Sequence, residues 1–284
     1  MSINKIAVIG AGQMGRRIAQ VFAAAGKAVK VYDISQEIVD SASAALKKGM
    51  DKLVAKEKLS RADADALLSR ITFSSDTDYS DIGDTDLVLE AAIERLELKK
   101  QIFRKLDAVA KPGCILATNT SSISISEIAS AAERKELVIG MHFFNPPTVM
   151  KLIEIIRGGG TCDSAYETVF ALAQEIGKTP VTVNEAPGFV VNRLLVPMIN
   201  EAIELVQSGV ASPEDIDTAM RLGCNHPMGP LTLGDFIGLD TCLAIMETLY
   251  AETCDSKYRP SMLLRKMVRS GKLGNKSGEG FFKH

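Results

Sequence analysis

The chain has 284 residues, 46% of them hydrophobic, enough to bury two cores of ordinary domain size. A formal net charge of −2 gives no electrostatic ground for binding nucleic acid or an anionic membrane surface, and no uninterrupted apolar run approaches the length of a bilayer span. Cys114, Cys162, Cys224, Cys242 and Cys254 include no C-x-x-C pair and are odd in number, which argues against a zinc site or a complete disulfide framework. Free thiols and the lack of a positively charged leader ahead of the first strand pattern point to a cytoplasmic protein.

Lys5-Ile6-Ala7-Val8-Ile9 reads as a strand entering Gly10-Ala11-Gly12-Gln13-Met14-Gly15, after which residues 16–26 are helical in pattern. Gly10 permits the tight turn, Gly12 lets backbone approach a pyrophosphate, and Gly15 allows close packing of helix on strand. Gln13 and Met14 open the helix whose N-terminus would face the anion. A second strand, residues 28–32, ends at Asp33, about twenty residues further on, where a carboxylate bonds both ribose hydroxyls. Asp33 would repel a 2′-phosphate, which favours NAD, with NADP as the alternative cofactor.

Residues 35–70 read as one long helical stretch, a crossover helix with an extension beyond the sheet. Its lysines form, most simply, a solvated face, but Lys52 and Lys56 share one side at i, i+4 spacing and could meet a phosphorylated substrate. Strands follow at residues 71–73, 86–91 and 114–118, with a helix at 96–110 between the last two. Alternation of this kind implies a doubly wound parallel sheet of Rossmann type. Ligands gather beyond the carboxyl ends of such strands, which singles out Ala92-Ile93-Glu94 and Asn119-Thr120-Ser121-Ser122 as site loops.

Further strands are expected at residues 138–141, 152–156 and 180–183, with a helix at 164–177. His142 falls at the carboxyl end of its strand, and Glu154 lies in the next apolar segment. An isolated histidine in an apolar strand is more often a hydrogen-bonded core residue. A carboxylate against its second ring nitrogen, in a chain that also carries a cofactor fold, makes it an acid/base candidate instead.

The strand pattern ends at Glu185-Ala186-Pro187-Gly188, and residues 189–208, 212–223, 231–250 and 261–270 read as helices. The expectation is an α/β Rossmann-type domain with a helical extension over residues 1–186, followed by a smaller all-α domain over 187–284. Asn192, beside Arg193, is either an inward hydrogen-bonder or an early helix-turn residue. The glycine-rich residues 271–280 read as a flexible end or as a loop folded over the site.

GAGQMG, ATNTSSISI at 117–125, GMHFFNPPTVMKLIEII at 140–156, APGFVVNRLL at 186–195 and the late EDIDTAMRLGCNHPMGPLTLGDFIGLD together cover the full chain. In these the sequence resembles the short-chain 3-hydroxyacyl-CoA dehydrogenases, most closely the bacterial 3-hydroxybutyryl-CoA branch. The resemblance implies interconversion of (S)-3-hydroxybutyryl-CoA and acetoacetyl-CoA with a nicotinamide cofactor and no metal. It implies that His142 and Glu154 are the catalytic pair, with Ser121 and Asn192 holding the reacting oxygen and thioester. It also implies cofactor contacts at Asp33, Glu94, Lys99, Asn145 and Lys276, coenzyme A contacts at Gly49 and Lys56, and a homodimer formed through the C-terminal domain; Asn119 and Ser121, in a loop beyond a strand's carboxyl end, are expected to face cofactor or substrate. Two alternatives stand beside it: a sugar-acid dehydrogenase of L-gulonate type, using similar residues, and a catalytically silent NAD-binding protein.

Overall fold

The computed structural model describes residues 2–284. The chain divides into two compact units, Met1–Glu185 and Ala186–His284. In the first, β1 (Lys5–Ile9), α1 (Gln13–Ala24), β2 (Ala28–Tyr32), α2 (Gln36–Ala55), α3 (Arg61–Ser69) and β3 (Ile71–Ser74) are followed by β4 (Leu87–Glu90), α4 (Leu96–Val109) and β5 (Ile115–Thr118). Then come α5 (Ile125–Ala129), β6 (Val138–Phe143), β7 (Leu152–Arg157), α6 (Asp163–Glu175) and β8 (Thr179–Asn184).

The eight strands form one sheet in the order β3-β2-β1-β4-β5-β6-β7-β8. Its central strands are mostly apolar, and β4, β5 and β6 are buried at every position, as expected for strands covered on both faces. The chain order reverses between β1 and β4, so the loops after these strands diverge and open a crevice. One expectation is corrected here, because the sheet is not parallel throughout. β7 runs antiparallel to β6, which an eight-residue loop permits and a helical crossover would not.

The stretch over residues 35–70, read as a crossover helix followed by a helical extension, comprises two separate helices. α2 ends at Ala55, Glu57 takes φ 54°, and the Ser60 hydroxyl caps α3 by accepting from the Asp63 amide at 3.0 Å. Helical periodicity continues through the break and hides it; Ser60-x-x-Asp63 is the local signal that a new helix begins.

The second unit comprises α7 (Val191–Gln207), α8 (Pro213–Gly223), α9 (Pro230–Ile237), α10 (Leu239–Thr253) and α11 (Met262–Arg269), packed around Val196, Ile199, Ile203, Leu239, Met246 and Leu264. The segment read as one helix over 231–250 is interrupted at Gly238, whose φ of 103° no helix accommodates. Two buried aspartates organise this unit. Asp217 of α8 accepts from the Leu231 and Thr232 amides at 2.8 and 2.9 Å and so caps α9. Asp235 accepts from the Phe281 and Phe282 amides at 3.0 and 2.9 Å and pairs with His284 Nε2 at 3.0 Å. The glycine-rich tail is therefore not a flexible end but a hook drawn onto Asp235. No helix of the described residues is long and apolar enough to cross a membrane.

Candidate active site

β1 and α1 meet closely because glycine occupies both sides of the turn. Gly10 has φ 105°, and a Cβ on Gly15 would stand 1.8 Å from the Gly10 carbonyl oxygen. A Cβ on Gly12, by contrast, would meet nothing within 4 Å, and no side chain caps α1. Its first-turn amides and open approach suit a pyrophosphate. Beside it lies a cavity of about 510 Å³ walled by Gly10, Asp33, Ile34, Tyr79, Ala92 and Ile93.

Asp33 stands at this wall with its carboxylate oriented by backbone: Oδ2 accepts from the Ala11 amide at 2.6 Å and Oδ1 from the Ile34 amide at 2.7 Å. Each oxygen has a second lone pair with which to accept from a ribose hydroxyl. Apolar walls of adenosine size, an uncapped helix start and a fixed carboxylate together fit a dinucleotide.

Beneath the neighbouring loops lies a buried charge network. Lys99 is 1% exposed, and its ammonium donates to both Glu90 oxygens at 2.8 Å and pairs with Glu94 Oε2 at 3.2 Å. Glu90, fully buried, also accepts from the Ala92 amide and the Thr118 hydroxyl, each at 2.7 Å. Glu94 accepts from the Thr120 hydroxyl at 2.6 Å and from the Ser121 and Ser122 amides at 2.9 and 3.2 Å. Partial burial pushes the Glu94 pKa up, but the Lys99 ammonium and the Thr120 and Ser121 donors outweigh it and leave the carboxyl below its ordinary value. In this structure Glu94 and Lys99 thus shape the Asn119–Ser122 loop, and Lys99 reaches the surface of the site only through Glu94. On the far side of that loop, Glu185 accepts from the Ser124 hydroxyl at 2.5 Å and the Ser126 amide at 3.0 Å.

His142 and Glu154 are direct cross-strand partners in the antiparallel β6–β7 pair. Nδ1 of His142 lies 2.8 Å from Glu154 Oε2, with the histidine 5% exposed and the glutamate fully buried. At such burial, little water competes for the carboxylate, so its influence on the imidazole is screened less than it would be at the surface. A carboxylate acceptor at Nδ1 favours the tautomer protonated there, so that any proton exchange by the ring would fall to Nε2. Phe144 packs on the ring at 4.6 Å between centroids. Asn119 Oδ1 accepts from the Phe143 amide at 2.8 Å, tying the β5 loop to the residue after His142.

Asn145, at the start of the β6–β7 loop, accepts from Arg17 Nη1 at 3.2 Å. Gly49, Lys52 and Lys56 lie along one side of the end of α2, with both lysines exposed and nothing within 4 Å of a Cβ on Gly49. In the second unit, Asn192 occupies the first turn of α7, and Arg193 Nε donates to the Tyr258 hydroxyl at 3.1 Å. Lys276 is held by Asp240 at 2.8 Å and by the Thr241 hydroxyl at 2.9 Å. Sequence reasoning missed Glu90, Arg17 and Glu185. Of these only Glu90 left a local trace, a carboxylate closing an otherwise apolar strand.

Residues 5–186 match the 3-hydroxyacyl-CoA dehydrogenase NAD binding domain, and residues 188–284 match the 3-hydroxyacyl-CoA dehydrogenase C-terminal domain. The chain is 52% identical to a 3-hydroxybutyryl-CoA dehydrogenase of Clostridioides difficile, with 98% of each chain covered. It is 47% identical to that of Bradyrhizobium diazoefficiens, over 99% of this chain and 95% of the relative. Among solved structures, (S)-3-hydroxybutyryl-CoA dehydrogenase from Ralstonia eutropha superposes with a TM-score of 0.95 at 49% identity, covering 100% of this chain and 99% of that one. Two domain matches in tandem and full-length relatives at this level of identity agree with the dinucleotide-shaped crevice and the buried His–Glu pair: the chain belongs to the 3-hydroxyacyl-CoA dehydrogenase family.

Proposed function

We propose that this protein interconverts (S)-3-hydroxybutyryl-CoA and acetoacetyl-CoA, with His142 as acid/base. The observation that carries this reading is the 2.8 Å contact between His142 Nδ1 and buried Glu154, at the carboxyl end of β6 in a dinucleotide-binding sheet. Bound NAD supplies the acceptor for the hydride that leaves the hydroxyl-bearing carbon. His142 Nε2 takes the hydroxyl proton in oxidation and returns it in reduction. Glu154 offsets the positive charge of the imidazolium, and because register sets its place it needs no rearrangement to do so. Ser121, presented by the loop that Glu94 organises, and Asn192 would together hold the substrate's reacting oxygen and thioester and stabilise the developing oxyanion.

Gly10, Gly12, Gln13, Met14 and Gly15 would hold the pyrophosphate, Asp33 the ribose, and Asn119, Asn145, Glu94 and Lys276 the remainder of the cofactor, with Lys99 acting behind Glu94. Exposed Lys52 and Lys56 with Gly49 would meet the phosphates of coenzyme A. The second unit is read as the substrate and dimerisation domain, and the protein as a cytoplasmic homodimer.

The test is NADH oxidation with acetoacetyl-CoA, set beside NADPH, free acetoacetate and, in the oxidising direction, L-gulonate. Rapid oxidation of NADH that requires the CoA thioester is the expected result. Turnover of L-gulonate without acyl-CoA activity would overturn the substrate, and NADH binding without any turnover would overturn the enzyme reading.

A further inference from the structure

The loop over residues 144–151 joins the strand bearing His142 to the strand bearing Glu154 and carries Asn145. Pro146 O accepts from the Val149 and Met150 amides at 2.9 and 3.0 Å, closing the loop into a single turn. The outer carbonyls of that turn face a lysine. Lys178 Nζ donates to Pro147 O at 2.6 Å and to Met150 O at 2.8 Å, so two of its three protons are spent on main chain of one short segment.

The backbone of Lys178 is itself fixed. Its amide bonds Ala173 O at 2.9 Å at the end of α6, and the next amide, Thr179, bonds Lys151 O at 2.8 Å where the loop rejoins β7. Burial pulls the ammonium's pKa below the ordinary lysine value, so hydration has been given up for these two carbonyls. From α1, Arg17 reaches the Asn145 amide oxygen, so the loop is gripped by a cation at each end. His142 and Glu154 do not depend on this grip, because strand register aligns them.

We propose that Lys178 is a positioning residue: by clamping Pro147 O and Met150 O it fixes the β6–β7 loop, and with it Asn145, in the geometry that binds the nicotinamide cofactor. This rests on the reading of Asn145 as a cofactor contact.

The test uses the full-length protein. In Lys178→Met, amide hydrogen exchange over residues 144–151 should quicken by at least about tenfold and the NADH Kd, from titration calorimetry, should rise by about five- to twentyfold. kcat at saturating NADH should stay within about threefold, and Lys178→Arg should recover most of the affinity. Lys178→Gln, which keeps one donor, should fall between the two and serves if the methionine variant folds poorly. In an Asn145→Ala background the lysine substitution should change Kd by less than about twofold. Unchanged exchange and Kd in the lysine variants would overturn the proposal. So would equal losses in both backgrounds, which would mark a general structural role. An Asn145→Ala variant with unaltered NADH affinity would instead identify the Asn145 reading as the point of failure, and the route from Lys178 to the cofactor would fall with it.

Discussion

His142 and Glu154, the proposed acid/base pair, could be brought together from the sequence because their pairing is local. A histidine ends one apolar segment and a glutamate sits inside the next, and the hairpin makes them cross-strand partners. Asp33 was legible for the same reason, at a fixed distance beyond a glycine turn, and its proposed role has a direct consequence. Asp33→Ala should raise the ratio of NADPH to NADH utilisation by at least about tenfold, equivalent to roughly 1.4 kcal/mol, measured as kcat/KM with each cofactor. An unchanged ratio would remove Asp33 from cofactor discrimination. Glu94 and Lys99 were expected as cofactor contacts, and the structure shows them bonded to protein groups that the sequence did not reveal. Their partners, Glu90, Thr120 and the Ser121 amide, are gathered by tertiary structure, and spacing along a chain does not reveal which of two carboxylates a lysine will serve. Because the Glu94 pKa is lower in the folded chain than its ordinary 4.5, the carboxylate contributes stability above that value and loses it as pH falls through the lower folded value. Wild-type stability should therefore drop more steeply than that of Glu94→Gln below about pH 4.5, as read from urea unfolding. Parallel pH profiles would contradict the assignment.

Element boundaries were readable where a specific residue forces them and obscure where periodicity runs on. Pro187 and Gly188 announced the end of the first unit, whereas the breaks at Glu57 and Gly238 lie inside continuous helical patterns. The reversal of β7 was invisible, since an apolar strand has the same composition in either direction. The β1–α1 junction depends on bare backbone contact. Gly15→Ala should cost about 3 kcal/mol of stability and weaken NADH binding, because the new methyl group meets a carbonyl that cannot swing aside. A urea midpoint equal to wild type would refute that packing argument. The buried ion pair at the carboxyl end of β4 makes a further prediction: Lys99→Met leaves Glu90 buried without its cation and should cost about 3–5 kcal/mol.

For the whole molecule, composition and charge could not name a partner; the motifs pointed to a family, and the family matches over both units agree with them. The arrangement of the second unit around Asp217 and Asp235 was beyond reach, because each aspartate caps or anchors backbone that is distant in sequence. If that unit forms a homodimer, sedimentation equilibrium should give twice the chain mass of 30.5 kDa, and a monomer mass would leave the proposed dimerisation role without support. The central claim is that a water-shielded His142–Glu154 pair performs the proton transfer of 3-hydroxyacyl-CoA dehydrogenation. Its most direct test compares wild type with His142→Gln in acetoacetyl-CoA-dependent oxidation of NADH while the NADH Kd is measured separately. kcat should fall by about two to four orders of magnitude while Kd changes little. A variant that retains wild-type turnover would contradict it.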